Sequence, residues 1–66
     1  MFIRGLPFAK NDKIKIGSDQ YNCTDTVLCR TTEPTDANSG WETYAGTLND
    51  ADVVSADELP SEAREF

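Results

Sequence analysis

Histidine is absent from the chain, and with it go the commonest general base near neutral pH and the commonest zinc ligand. Cysteine is limited to Cys23 and Cys29, too few for a closed zinc site and not spaced as a C-x-x-C redox pair. No apolar run approaches the roughly 20 residues of a membrane span. The opening MFIRGLPFAK is interrupted by Arg4 and Pro7, so no signal-peptide core is expected there. Basic side chains are scarce in the second half: residues 31–66 carry Arg64 alone against nine acidic groups, whereas residues 1–30 carry five basic against three acidic. A duplex binder needs a basic stripe to neutralise phosphates, and Arg4, Lys10, Lys13, Lys15 and Arg30 are all that is on offer in the first half. Direct nucleic-acid binding is therefore disfavoured, and a soluble cytoplasmic protein with no membrane association is expected.

What is present fits one small domain. A chain of 66 residues buries only about 60% of the surface its unfolded form exposes, which leaves no room for a deep catalytic cleft. Leu, Ile, Val and Phe number 13 of the 66, near the boundary below which charged chains stay disordered. Trp41, Tyr21 and Tyr44, together with clear alternation, tip the balance toward a fold.

That alternation is all of the strand type. FIRG is the first strand candidate; after a loop containing Pro7, DKIKIGS alternates Ile14 and Ile16 with Lys13 and Lys15, a half-buried strand with a lysine-coated outer face that ends in a turn or bulge at Gly17, Ser18 and Asp19. YNCTDTVLCRTT is rich in β-branched and aromatic residues and reads as the next strand, bent or bulged near Asp25. Were it continuous, Cys23 and Cys29 would lie roughly 20 Å apart at about 3.3 Å per residue and remain reduced thiols. A turn at Thr24-Asp25 would instead bring them together. EPTDANSG, residues 33–40, has only loop signals and is the expected mobile element. WETYAGTL, a two-residue turn at Asn49-Asp50 and ADVVS then read as a hairpin. Ser55 and Glu58 have capping-box spacing for one helical turn that ends at Pro60, with Leu59 as its plug. SEAREF reads as a frayed tail, residues 61–66, so the expected domain is 1–60.

The order NDKIKIG, a long bent strand ending TVLCRTT, then WETYAGTLNDADVVSADEL resembles the SH3-like small β-barrel superfamily over residues 11–59. The resemblance implies an all-β fold, a barrel of about five short strands with one closing helical turn. It does not imply a function, since members include nucleic-acid binders, methyl-lysine readers, accessory subunits, phage and plasmid proteins and one enzyme. That enzyme, the plasmid-borne type II dihydrofolate reductase, builds its site from a Gln-Ile-Tyr run before the closing turn. Here the corresponding strand reads Asp52-Val53-Val54-Ser55, so no catalytic residue, cofactor or metal is expected.

Two surfaces remain as candidates for a protein partner. Trp41 and Tyr44, beside the loop 33–40, could form an aromatic groove with Tyr21 for proline-rich or methylated peptides. Alternatively, their spacing of three puts them on opposite faces of a strand, one in the core. Asp50, Asp52, Asp57 and Glu58 form an acidic face without the spacing of a calcium loop. Such a face could imitate a phosphate field or simply maintain solubility. The expected function is a non-enzymatic protein-binding module or accessory subunit, phage- or mobile-element-like. An acidic mimic of nucleic acid and a self-assembling virion component, a homo-oligomer, are the alternatives.

Overall fold

A computed structural model describes residues 2–48, 53–56 and 63–66. Among these residues five strands, β1 (Lys13–Ile16), β2 (Asp19–Cys23), β3 (Trp41–Thr43), β4 (Val54–Ser55) and β5 (Ala63–Glu65), make one sheet in the order β3-β2-β1-β5-β4, with a helix α1 (Thr26–Thr31) between β2 and β3. The described fold is thus mostly strand with little helix. The sheet is mixed: β1 runs antiparallel to β2 and β2 to β3, while β5 is parallel to both of its neighbours.

The β1–β2 hairpin forms as the alternation predicts. Ile16 and Asp19 pair across a two-residue turn whose first central residue, Gly17, has φ 60°, a left-handed value at which glycine meets no Cβ penalty. Asn11, at φ 79°, takes the same region just before β1, where asparagine is among the residues that tolerate it. Its amide donates to the Cys23 carbonyl at 2.9 Å.

After Cys23 the chain departs from the expected strand. Asp25 has extended φ and ψ of −148° and 120°, and its carboxylate accepts the Leu28 amide at 2.9 Å, which is the geometry of a helix N-cap. Thr26 to Thr31 then wind into α1, ending where the Thr32 amide donates to the Leu28 carbonyl. Cys23 and Cys29 consequently stand 6.1 Å apart at Cα and form a disulfide. The expectation of a continuous strand with reduced thiols is corrected by the turn at Thr24-Asp25. A β-prone stretch becomes helical because a cap, a bridge and the burial of Cys29 outweigh weak local propensity.

Two further expectations are corrected. β3 and the Val53-Val54-Ser55 stretch do not form a hairpin: β3 pairs with β2 and β4 with β5, at opposite ends of the sheet. The turn at Asn49-Asp50, and Glu58, Leu59 and Pro60 of the closing turn, lie outside the described residues, while Ser55 belongs to β4. The supposed tail is the second correction, because β5 lies inside the sheet between β1 and β4. The Phe66 amide extends that pairing by donating to the Lys15 carbonyl at 2.8 Å.

One face of the sheet carries the core. Phe2, Phe8, Ile14, Cys23, Cys29 and Trp41 are buried together, with Leu6, Ile16, Tyr21 and Phe66 packed against them. The Phe8 ring meets Trp41 edge-on at 4.9 Å between centroids, and Phe2 lies 5.0 Å from Phe66, geometries that aromatic quadrupoles favour. The N-terminal segment is held over this face by hydrogen bonds to α1, the Gly5 amide donating to the Arg30 carbonyl and the Arg30 side-chain Nε donating to the Phe8 carbonyl, both at 2.9 Å.

Candidate binding surfaces

Strand alternation decides the fate of the aromatic groove. Trp41 points into the core, 6% exposed, with its indole N–H donating to the Thr32 carbonyl at 3.2 Å. Tyr21 packs on the same cluster. Tyr44, three residues beyond Trp41, is half-buried on the opposite face, where the Lys13 ammonium sits 5.3 Å from its ring centroid. The proposed groove of Trp41 and Tyr44 is therefore corrected: the rings lie on two sides of the sheet, and one is spent on the core. Asp50, Asp52, Asp57 and Glu58 lie outside the described residues, so the acidic face has no described geometry.

The sheet face away from the core is polar and of mixed sign. Register aligns Glu42, Asn22, Lys13 and Ala63 in one row and Gln20, Lys15, Glu65 and Ser55 in the next. Opposite charges in neighbouring rows suit a sheet surface without a single-sign field. Gln20 closes one end of this face, its amide donating to the carbonyls of Tyr44 and Gly46 and its oxygen accepting the Leu48 amide.

The loop 33–40 is tied more closely than its composition suggests. Asp36 accepts the Glu33 amide at 2.9 Å and the Arg4 guanidinium at 3.0 Å, and Arg4 also pairs with Glu33 at 3.5 Å. The Glu33 amide, and after it Arg4, hold the Asp36 carboxyl below its ordinary range. Gly40 closes the loop against α1. Its carbonyl accepts both the amide and the hydroxyl of Thr24, and a Cβ added there would stand 2.7 Å from Leu28 Cβ.

Two features escaped the sequence. Val27 is 70% exposed and Leu28 38% exposed on α1, with Ile3 also outward; once residues 26–31 are read as helix, the burial of Cys29 implies that its neighbours face elsewhere. Arg64, in the segment read as a tail, is buried on the core face.

Among the described residues no group of three His, Cys, Asp or Glu side chains could hold a metal ion, and no helix is long and apolar enough to cross a membrane. No protein-family model, curated protein or solved structure matches the chain.

Proposed function

We propose that the chain is a non-enzymatic binding module, an accessory subunit that docks on a larger protein assembly. The observation that supports this reading is the outward aliphatic pair Val27 and Leu28 on α1. Adjacent exposed aliphatic side chains on an element braced by a disulfide offer a rigid apolar contact, and rigid contacts lose little entropy on binding. The polar sheet face and the reduced size of the domain fit the same role. The resemblance to SH3-like barrels belongs to this proposal as well. Closure into a barrel would bring the edge strands β3 and β4 together. The Cys23–Cys29 bridge favours an oxidising compartment over the cytoplasm, because structural disulfides persist where thiols are not kept reduced.

Light scattering across a wide concentration range, followed by a pull-down from lysate, on the wild type and on Val27→Lys, tests the reading. A monomer that captures a protein partner, with capture lost in the folded Val27→Lys variant, is the expected result. Concentration-dependent oligomers abolished by Val27→Lys would instead assign the patch to self-assembly. Capture unaffected by Val27→Lys would sink the proposed surface.

A further inference from the structure

Arg64 is 1% exposed, and Nε, Nη1 and Nη2 of its guanidinium are all buried, with no hydrogen-bond partner among the described residues. It stands on the core face of β5 in register with Ile14 on β1 and Val54 on β4, and its Cζ lies 5.0 Å from the centroid of the Phe8 ring. Guanidinium cannot lose its proton in a protein, so burial cannot be relieved by neutralisation as it would be for lysine. Cation–π attraction to one phenyl ring offsets only a small part of the desolvation of a full charge.

We infer that Arg64 anchors an internal anion site that takes a small monocarboxylate. The fork of guanidinium N–H groups matches the two coplanar oxygens of a carboxylate. A single negative charge balances the single cation. The apolar side chains of Phe8, Ile14 and Val54 beside Arg64 favour a singly charged ligand over a phosphate dianion, which is costlier to desolvate. Those apolar walls also suit a short hydrocarbon tail. The site is separate from the Val27 and Leu28 surface, so failure of one reading leaves the other standing.

The test is thermal unfolding of the full chain with acetate and propionate as probes, with chloride and phosphate at matched ionic strength as controls, on the wild type and Arg64→Met. The expected result is a saturable rise in Tm of about 5 °C or more with either carboxylate in large excess over its Kd. Neither control should produce it, and Arg64→Met should lose it. Arg64→Met without added anion should be at least as stable as the wild type, because a buried unpaired charge has been removed. A wild-type Tm indifferent to carboxylates overturns the site, whatever the variant does. Should Arg64→Met fail to fold, the Arg64 Nε–H resonance of the wild type decides: a saturable shift on adding acetate supports the site, and a flat titration overturns it.

Discussion

At the scale of single residues, two carboxylates show how little side chain is needed to direct this backbone. Asp25 starts α1 by accepting the Leu28 amide, and replacing a helix-capping carboxylate by alanine typically costs about 1 kcal/mol. Asp25→Ala should lower the urea midpoint accordingly, while Asp25→Asn, which keeps an acceptor, should recover most of the loss. An unchanged midpoint in Asp25→Ala would mean that the cap contributes nothing. Asp36 acts on pH dependence. Its carboxyl is held below the ordinary 3.8 by the Glu33 amide and then by Arg4, so the unfolded chain binds the proton more readily than the folded one. The contribution to stability is therefore complete above the unfolded value and is lost as pH falls through the lower folded value. Asp36→Asn should flatten the pH dependence of the urea midpoint below about pH 4, and an equally steep profile in the variant would show that this contact does not titrate with folding. Because both partners are partly open to water, the effect should be small and diminish with added salt.

At the scale of elements, α1 and its bridge are the most exposed to test. Closing a loop of about seven residues removes chain entropy worth about 2 kcal/mol from the unfolded state on the loop-entropy model. Cys23→Ser/Cys29→Ser should therefore be destabilised by about that amount, with loss of the helical far-UV signal ahead of the sheet. Equal stability of the oxidised chain and the double variant would remove the bridge from the account of the fold. Gly40→Ala should cost about 1–3 kcal/mol, since the added methyl would collide with Leu28 Cβ and crowd the Cys29 amide and sulfur. This element also marks the boundary of what was legible in the sequence. The β1–β2 hairpin could be read locally, because Ile14, Ile16 and Gly17 carry both the alternation and the turn. Helix α1 could not: Thr26, Val27 and Thr31 are β-branched, and the bridge that selects the turn at Thr24-Asp25 becomes evident only when the chain is folded. The groove failed for a related reason. Trp41 and Tyr44 were visible as aromatic, but the face each takes depends on where β3 starts and what it pairs with.

At the scale of the whole molecule, the least legible feature is the strand that organises the sheet. SEAREF looks like a tail because Glu62, Arg64 and Glu65 dominate it. Its strand identity comes from parallel pairing with β1, some fifty residues away in sequence, and long-range parallel pairing leaves no periodic trace in so short a segment. The consequence is a sharp prediction at the C-terminus. Phe66 lies 5.0 Å from Phe2 and 6.0 Å from Phe8 between ring centroids, and it is half-buried, so Phe66→Ala should cost about 2 kcal/mol, below the range for a fully buried phenylalanine. A domain this small has only about 3–5 kcal/mol to lose, so that single change should leave about 1–3 kcal/mol and lower the urea midpoint by a large fraction. Removal of residues 63–66 deletes β5, the link from β1 to β4, together with Arg64 and the Phe66 contacts, and should abolish cooperative unfolding altogether. Amide dispersion in a proton–nitrogen correlation spectrum measures this directly. Collapse of dispersion throughout β1 and β2 is expected, because β1 loses a strand on one side and the core loses an aromatic wall. Retention of the full β1–β2 pattern with an unchanged urea midpoint would mean that the segment is a tail after all.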